Sequence, residues 1–252
     1  MSNLREDSGL QAESIYGRTL VEPIELRDDG STALIIIDMQ YRDVPDTNDT
    51  TRVDRGWMDA LSVVRPGDVE RYNSRVRTTV IPAIRQLLSF FRSKGLPVVY
   101  TVFGSERGDY SDMPMSLRKV ALSLERVSGL RGFVLSTHPG FRIRSEVAPA
   151  NGELVVRKST WSSFVGTELD GLLRQRGITN LVITGVSTHA CVGATARHAA
   201  DLGYGCVIVD QATADDDAEL HQSSLRLFHR THGRVVESAG EITKAISRGG
   251  PV

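Results

Sequence analysis

The chain has 252 residues, 40% of them hydrophobic and 24% charged, with thirty basic residues against thirty-one acidic. That length supports one sizeable globular domain, and the near-neutral balance excludes the basic footprint of a nucleic-acid or anionic-membrane binder. No apolar run approaches the roughly 18–20 residues that span a bilayer, and two cysteines, Cys191 and Cys206, make neither a disulfide framework nor a zinc-spaced Cys/His cluster.

Met1 to Leu20 is polar and mixed in charge, without the apolar stretch of a secretory signal, so a reduced, cytoplasmic protein is expected. Residues 1–30 read as an irregular N-terminal arm that ends in the turn signal Asp28-Asp29-Gly30, either frayed or packed on a neighbouring subunit. A single domain follows over 31–252. The aliphatic run Ala33 to Ile37 predicts a central parallel strand that stops at Asp38. Residues 41–68, rich in Asp, Arg and Thr, predict a long loop with a short helix from Trp57 to Val64; a loop of that length is a candidate lid.

Val76, Val80, Ile84, Leu87, Leu88 and Phe91 recur at helical spacing within 69–94, and Lys94-Gly95 supplies a helix stop. Leu96 to Val102 is the next strand. Residues 104–150 predict loops with one or two short helices. The second half then alternates regularly: strands at Glu153–Arg157, Asn180–Thr184, Cys206–Asp210 and Arg234–Glu237, and helices at Thr167–Arg176, Thr188–Leu202, Asp215–Arg230 and Gly240–Ser247. This pattern predicts a three-layer α/β/α sandwich around a central, mostly parallel, Rossmann-like sheet of about six strands. Right-handed crossovers place the C-terminal ends of all the strands on one edge.

Asp38, Lys158 and Cys191 all fall at or just beyond strand C-terminal ends, where ligands bind in open α/β sheets. Each has an ordinary alternative: Cys191 as a small buried hydrophobe, Lys158 as a solvated strand-end charge, Asp38 as a phosphoacceptor or metal-site acid. Together they make a nucleophilic site, in which the helix terminus and Lys158 favour a thiolate at Cys191 and Asp38 moves the proton. Cys206, inside an apolar strand, is expected to be buried and inert.

Three spaced stretches resemble motifs of the isochorismatase-like cysteine hydrolases: Ile36-Ile37-Asp38-Met39-Gln40; Lys158-Ser159-Thr160-Trp161-Ser162-Ser163-Phe164 through Thr167; and Gly185-Val186-Ser187-Thr188-His189-Ala190-Cys191-Val192. The resemblance spans about residues 32–240. It implies an isochorismatase-like hydrolase fold, Cys191 as nucleophile, Asp38 as general base and acid, and Lys158 as their electrostatic partner. It also implies a cis peptide between Val186 and Ser187, with the Ser187 and Cys191 N–H groups as an oxyanion hole. The implied reaction cleaves the C–N bond of a small amide, carbamoyl or ureido compound through a thioester, without metal or organic cofactor, in a homo-oligomer (dimer or tetramer). No histidine follows Asp38 until His138, which departs from the metal-binding nicotinamidases; Gly193 stands where relatives often carry Arg or Glu. Trp161, Phe164, Thr188 and His189 are candidates to line the substrate pocket, with core packing the alternative for the two aromatics. Arg142 and Arg144 are candidates to bind a substrate carboxylate. The other functional readings are a silent or thiol-sensing protein that keeps the fold, and a hydrolase acting on a non-amide substrate.

Overall fold

A computed structural model describes residues 14–46 and 54–252. The first part of the expected arm, 1–13, and residues 47–53 of the expected lid loop lie outside the described residues. Six parallel strands form one sheet: β1 (Thr32–Ile37), β2 (Val98–Phe103), β3 (Leu154–Lys158), β4 (Asn180–Val186), β5 (Gly205–Ala214) and β6 (Arg234–Val236). Their spatial order is β3-β2-β1-β4-β5-β6, so the order reverses between β1 and β4.

Every residue of β1 is buried, as an aliphatic run in the middle of a two-sided sheet requires. Leu34 and Ile36 point into one core layer and Ala33, Ile35 and Ile37 into the other. The first layer is closed by α2 (Pro66–Arg75), α3 (Ile81–Ser93) and α8 (Ala239–Arg248), through Tyr72, Ile84, Leu87 and Ile242. The second is closed by α5 (Leu169–Gln175), α6 (Gly193–Asp201) and α7 (Ala218–Thr231), through Leu173, Ala196, Leu225 and Phe228. Each fully buried Leu, Ile or Phe contributes about 1.5–3 kcal/mol against chain entropy. The result is the expected three-layer sandwich.

Several elements depart from the expectation. The region 104–150 holds a fourteen-residue helix, α4 (Met115–Ser128), which ends at Gly129 with φ of +74°. Leu117, Ala121 and Leu124 carry its buried stripe, but Val120, Leu122 and Val127 remain exposed and blur the pattern. With α1 (Trp57–Ser62), α4 encloses a third apolar cluster over Phe103, Tyr110 and Phe133, above the β2 end of the sheet. The helix expected over 69–94 begins earlier, with Pro66 in its first turn, and runs through a π segment at Val76–Val80 just before Pro82. Proline lacks the N–H of a regular α-ladder, and a π turn is one way a helix absorbs that defect.

β4 continues past Thr184 through Gly185 because Gly185 adopts φ of +109° and has no side chain; a Cβ there would lie 2.0 Å from the Ile37 carbonyl oxygen. β5 runs on to Ala214 after a register shift opposite that glycine. The described part of the arm, residues 14–30, packs on its own chain: Leu26 is fully buried in the first layer and Tyr16 is buried in the second. Among the described residues, no helix is long and apolar enough to cross a membrane.

Candidate active site

Asp38 follows β1 directly. Its backbone takes φ of +53°, uncommon for a residue with a side chain, and its N–H donates to the Thr101 carbonyl at 3.0 Å. Sheet pairing with β2 thus holds a turn that lifts the carboxylate off the strand end. Cys191 lies beyond the adjacent strand, β4. The Val186–Ser187 peptide is cis, and a π turn over Thr188–Val192 carries Cys191 into α6. Ala190 and Val192 N–H both donate to the Ser187 carbonyl, which fixes the turn on either side of the cysteine.

Lys158 ends β3, two strands from Asp38, a span of roughly 9–10 Å. Only a long side chain bridges it. The Lys158 stem crosses over Phe103, with Nζ 5.0 Å from the ring centroid. Nζ then lies 2.7 Å from Asp38 Oδ2 and 3.1 Å from Cys191 Sγ. It also donates to the carbonyls of Thr160 and Trp161 at 3.0 and 3.3 Å. Its side chain has no exposed surface.

Burial opposes the Lys158 charge, but Asp38 and the cysteine outweigh it and hold the ammonium above its ordinary pKa. At Cys191 burial pushes the thiol well up; Lys158 pulls it down, and Asp38 raises it further. Lys158 thus acts in the expected direction, towards the thiolate, while burial and Asp38 act against it. In the resting site the thiol keeps its proton, because a second anion beside Asp38 in a dry site is unfavourable.

Hydroxyls tie the three segments together. Ser163, fully buried, donates to Thr101 Oγ1 at 3.2 Å and receives the Thr195 hydroxyl at 3.0 Å, while Thr101 faces Asp38 Oδ1 at 3.5 Å. Sequence reasoning missed a second layer behind the cysteine turn. Asp215, just past β5, accepts the His189 N–H at 2.6 Å and holds the His189 ring Nδ1 at 2.7 Å. That carboxylate keeps the imidazole above its usual pKa. Thr188 Oγ1 meets His221 Nδ1 at 2.8 Å, and His221 Nε2 meets Asp210, which Arg75 and Tyr16 also contact. The signal available was the acidic run Asp215-Asp216-Asp217, which reads as a helix cap, and Asp217 does cap α7.

A cavity of about 340 Å³ opens over Asp38 and Cys191. Of the four candidate pocket residues, Trp161 and His189 line it, together with Ser187, the expected oxyanion-hole donor. Phe164 and Thr188 are not among the lining residues: Phe164 packs on His198 and Tyr204, and Thr188 is buried against His221. Arg144 is buried and bound to Glu146 and the Val44 carbonyl, and Arg142 lies over the Tyr41 ring; neither reaches the cavity. Cys206 is fully buried, and burial raises its thiol. Asp43, overlooked in the sequence, lines the cavity near Asp38. Among the described residues, His189, Asp215 and Asp216 bring potential metal-ligand atoms within 4.8 Å of one another. The contacts from Asp215 to His189 account for that grouping without an ion.

Residues 32–240 match the family model described as the isochorismatase domain. Among relatives, the ureidoacrylate amidohydrolase RutB of Stutzerimonas stutzeri is 29% identical over 209 residues, covering 81% of this chain and 77% of its own. Among solved structures, a cysteine hydrolase from Pseudomonas syringae pv. phaseolicola aligns with a TM-score of 0.70 at 20% identity, over 90% of this chain and 99% of that one. N-carbamoylsarcosine amidase from Thermoplasma acidophilum aligns with a TM-score of 0.54 at 24% identity, over 81% and 96%. At those identities the two structural likenesses are of fold.

Proposed function

This chain belongs to the isochorismatase family of hydrolases, and from that premise we propose that it is a cysteine-dependent amidohydrolase acting on a small amide, carbamoyl or ureido compound. The observation that carries this is the single buried ammonium of Lys158, in contact with the Asp38 carboxylate and the Cys191 sulfur together. A cation shared in this way makes proton transfer from the thiol to Asp38 inexpensive. Before transfer Lys158 pairs with the carboxylate; afterwards it pairs with the thiolate, and no net charge moves into the dry site.

Cys191 Sγ, as its proton passes to Asp38, attacks the substrate carbonyl carbon. The resulting oxyanion is received by the Ser187 and Cys191 N–H groups, a role in which losing one donor typically costs about 10²–10³ in rate. Asp38 then protonates the nitrogen, the C–N bond breaks, and ammonia or an amine departs to leave a thioester. Water attacks the thioester while Asp38 takes its proton. Collapse releases the acid and returns the proton to sulfur. None of these steps calls on a metal ion. The RutB relative, named as an amidohydrolase of ureidoacrylate, supports the C–N assignment.

The test is ammonia release from a panel of amides and ureido compounds by wild type and Cys191→Ala. Release by wild type that falls by at least about 10³-fold in the variant is expected. Release that survives in Cys191→Ala removes the cysteine mechanism. Thiol reactivity without turnover of any amide would instead favour a sensing role.

A further inference from the structure

The cavity above Cys191 has a composition that narrows the substrate class, given the amidohydrolase assignment. Trp57 and Leu61 of α1, Val120 and Leu124 of α4, Leu220 of α7 and Phe103 at the end of β2 make its walls. Its polar groups are few, and their charges are already balanced. Arg65, which lines the cavity, donates Nε to Asp68 at 2.9 Å, Nη1 to Asp216 at 3.1 Å and Nη2 to Asp217 at 3.1 Å. His189 is held by Asp215, and Lys158 by Asp38. Among the described residues, no cation lining the cavity is left for a substrate anion.

The acids facing the cavity are Asp38, Asp43 and Asp216. Burial pushes the Asp43 carboxyl up to about 6 against the pull of Arg42, and Asp38 adds to the rise. Above that pH Asp43 is an anion at the cavity wall, paired with Arg42 Nε at 3.2 Å. A carboxylate entering here would lose its water and find no unpaired cation in exchange. An apolar substituent would find matching surface.

We infer that the pocket selects amides that carry an uncharged apolar group, aromatic or branched aliphatic, and rejects those that carry a carboxylate. Ureidoacrylate, named for the RutB relative, is a carboxylate-bearing compound. The substrate of this chain would then differ in class at the end remote from the scissile bond. Shape and charge of the wall make the choice, and the Asp38, Lys158 and Cys191 chemistry is unchanged by it.

The alkylation rate of Cys191 reads this preference without turnover. On the full chain, the rates with iodoacetate, iodoacetamide and N-benzyl-iodoacetamide are followed by peptide mass mapping at Cys191, each divided by its rate with glutathione. N-benzyl-iodoacetamide is expected to exceed iodoacetamide by about ten-fold or more, and iodoacetate to fall below it by about the same factor. Val120 is 44% exposed, so Val120→Lys places an unpaired ammonium on the wall at little cost to folding. It is expected to raise the iodoacetate rate and lower the N-benzyl rate. Iodoacetate matching or outpacing iodoacetamide in wild type overturns the inference, as do iodoacetate and N-benzyl-iodoacetamide rates that are unchanged in Val120→Lys.

Ammonia release from 3-phenylpropionamide against succinamate, run alongside, separates the two levels. Preference for succinamate overturns the apolar pocket and leaves the amidohydrolase standing. The expected alkylation order without release from any amide in the wider panel leaves the pocket and removes the amidohydrolase.

Discussion

At Lys158 a fully buried ammonium meets a carboxylate on one side and a sulfur on the other, and removing either charge has a different consequence. Lys158→Met leaves Asp38 buried without its cation, expected to cost about 3–5 kcal/mol in urea denaturation. Asp38→Asn combined with Lys158→Met removes both charges and is expected to recover most of that loss. Equal instability of the single and double variants would show that the ion pair is not the source. The same electrostatics set the pH dependence of the thiol. With burial and Asp38 holding Cys191 above an ordinary thiol, its alkylation by iodoacetamide should still be rising beyond about pH 8.5, where a free cysteine is half ionised. Because Lys158 lowers the thiol pKa, Lys158→Met should slow alkylation at every pH in that range. A plateau near neutrality would mean a standing thiolate and contradict the resting state described above.

Among the elements, β4 depends on a glycine whose absence of a side chain lets two strands meet where the sheet order reverses. Gly185 combines φ of +109° with an approach of 2.0 Å between a notional Cβ and the Ile37 oxygen. Gly203, at φ of +88°, has open space around it. Gly203→Ala should therefore cost only the backbone term, about 1–2 kcal/mol, whereas Gly185→Ala should cost more than about 3 kcal/mol and misplace the cysteine turn. Denaturation midpoints of the two variants decide it, and equal losses would mean that the close approach relaxes. The strand run Leu181 to Thr184 and the helix after it are legible from apolar pattern alone. The continuation through Gly185 to Val186 is not, since a glycine after an apolar run reads equally well as a stop.

Across the whole molecule, the described arm joins both faces of the sandwich. Ile24 and Leu26 enter one core layer, Tyr16 enters the other, and the Tyr16 hydroxyl reaches Asp210 at 2.9 Å, behind the cysteine turn. We propose that the arm unfolds with the domain. Leu26→Ala, which empties a fully buried site, should then cost about 2–5 kcal/mol of global stability. A change below about 0.5 kcal/mol would place the arm outside the cooperative unit.

The amino-acid pattern alone determined the alternation of strands and helices, and with it the parallel sandwich; aliphatic runs and 3.6-residue periodicity report burial directly. It also placed Asp38, Lys158 and Cys191 at strand ends, because strand termini are marked by the change from apolar to polar sequence. Three things were decided by the tertiary structure. The first is that β3 lies two strands from β1, so that a lysine spans the gap. The second is that Thr188 and Phe164 face inward while Asp43 faces the cavity. The third is that burial and Asp38 raise the thiol against the pull of Lys158. Each depends on which residues distant in the chain become neighbours and on how much water remains between them, and local sequence spacing encodes neither.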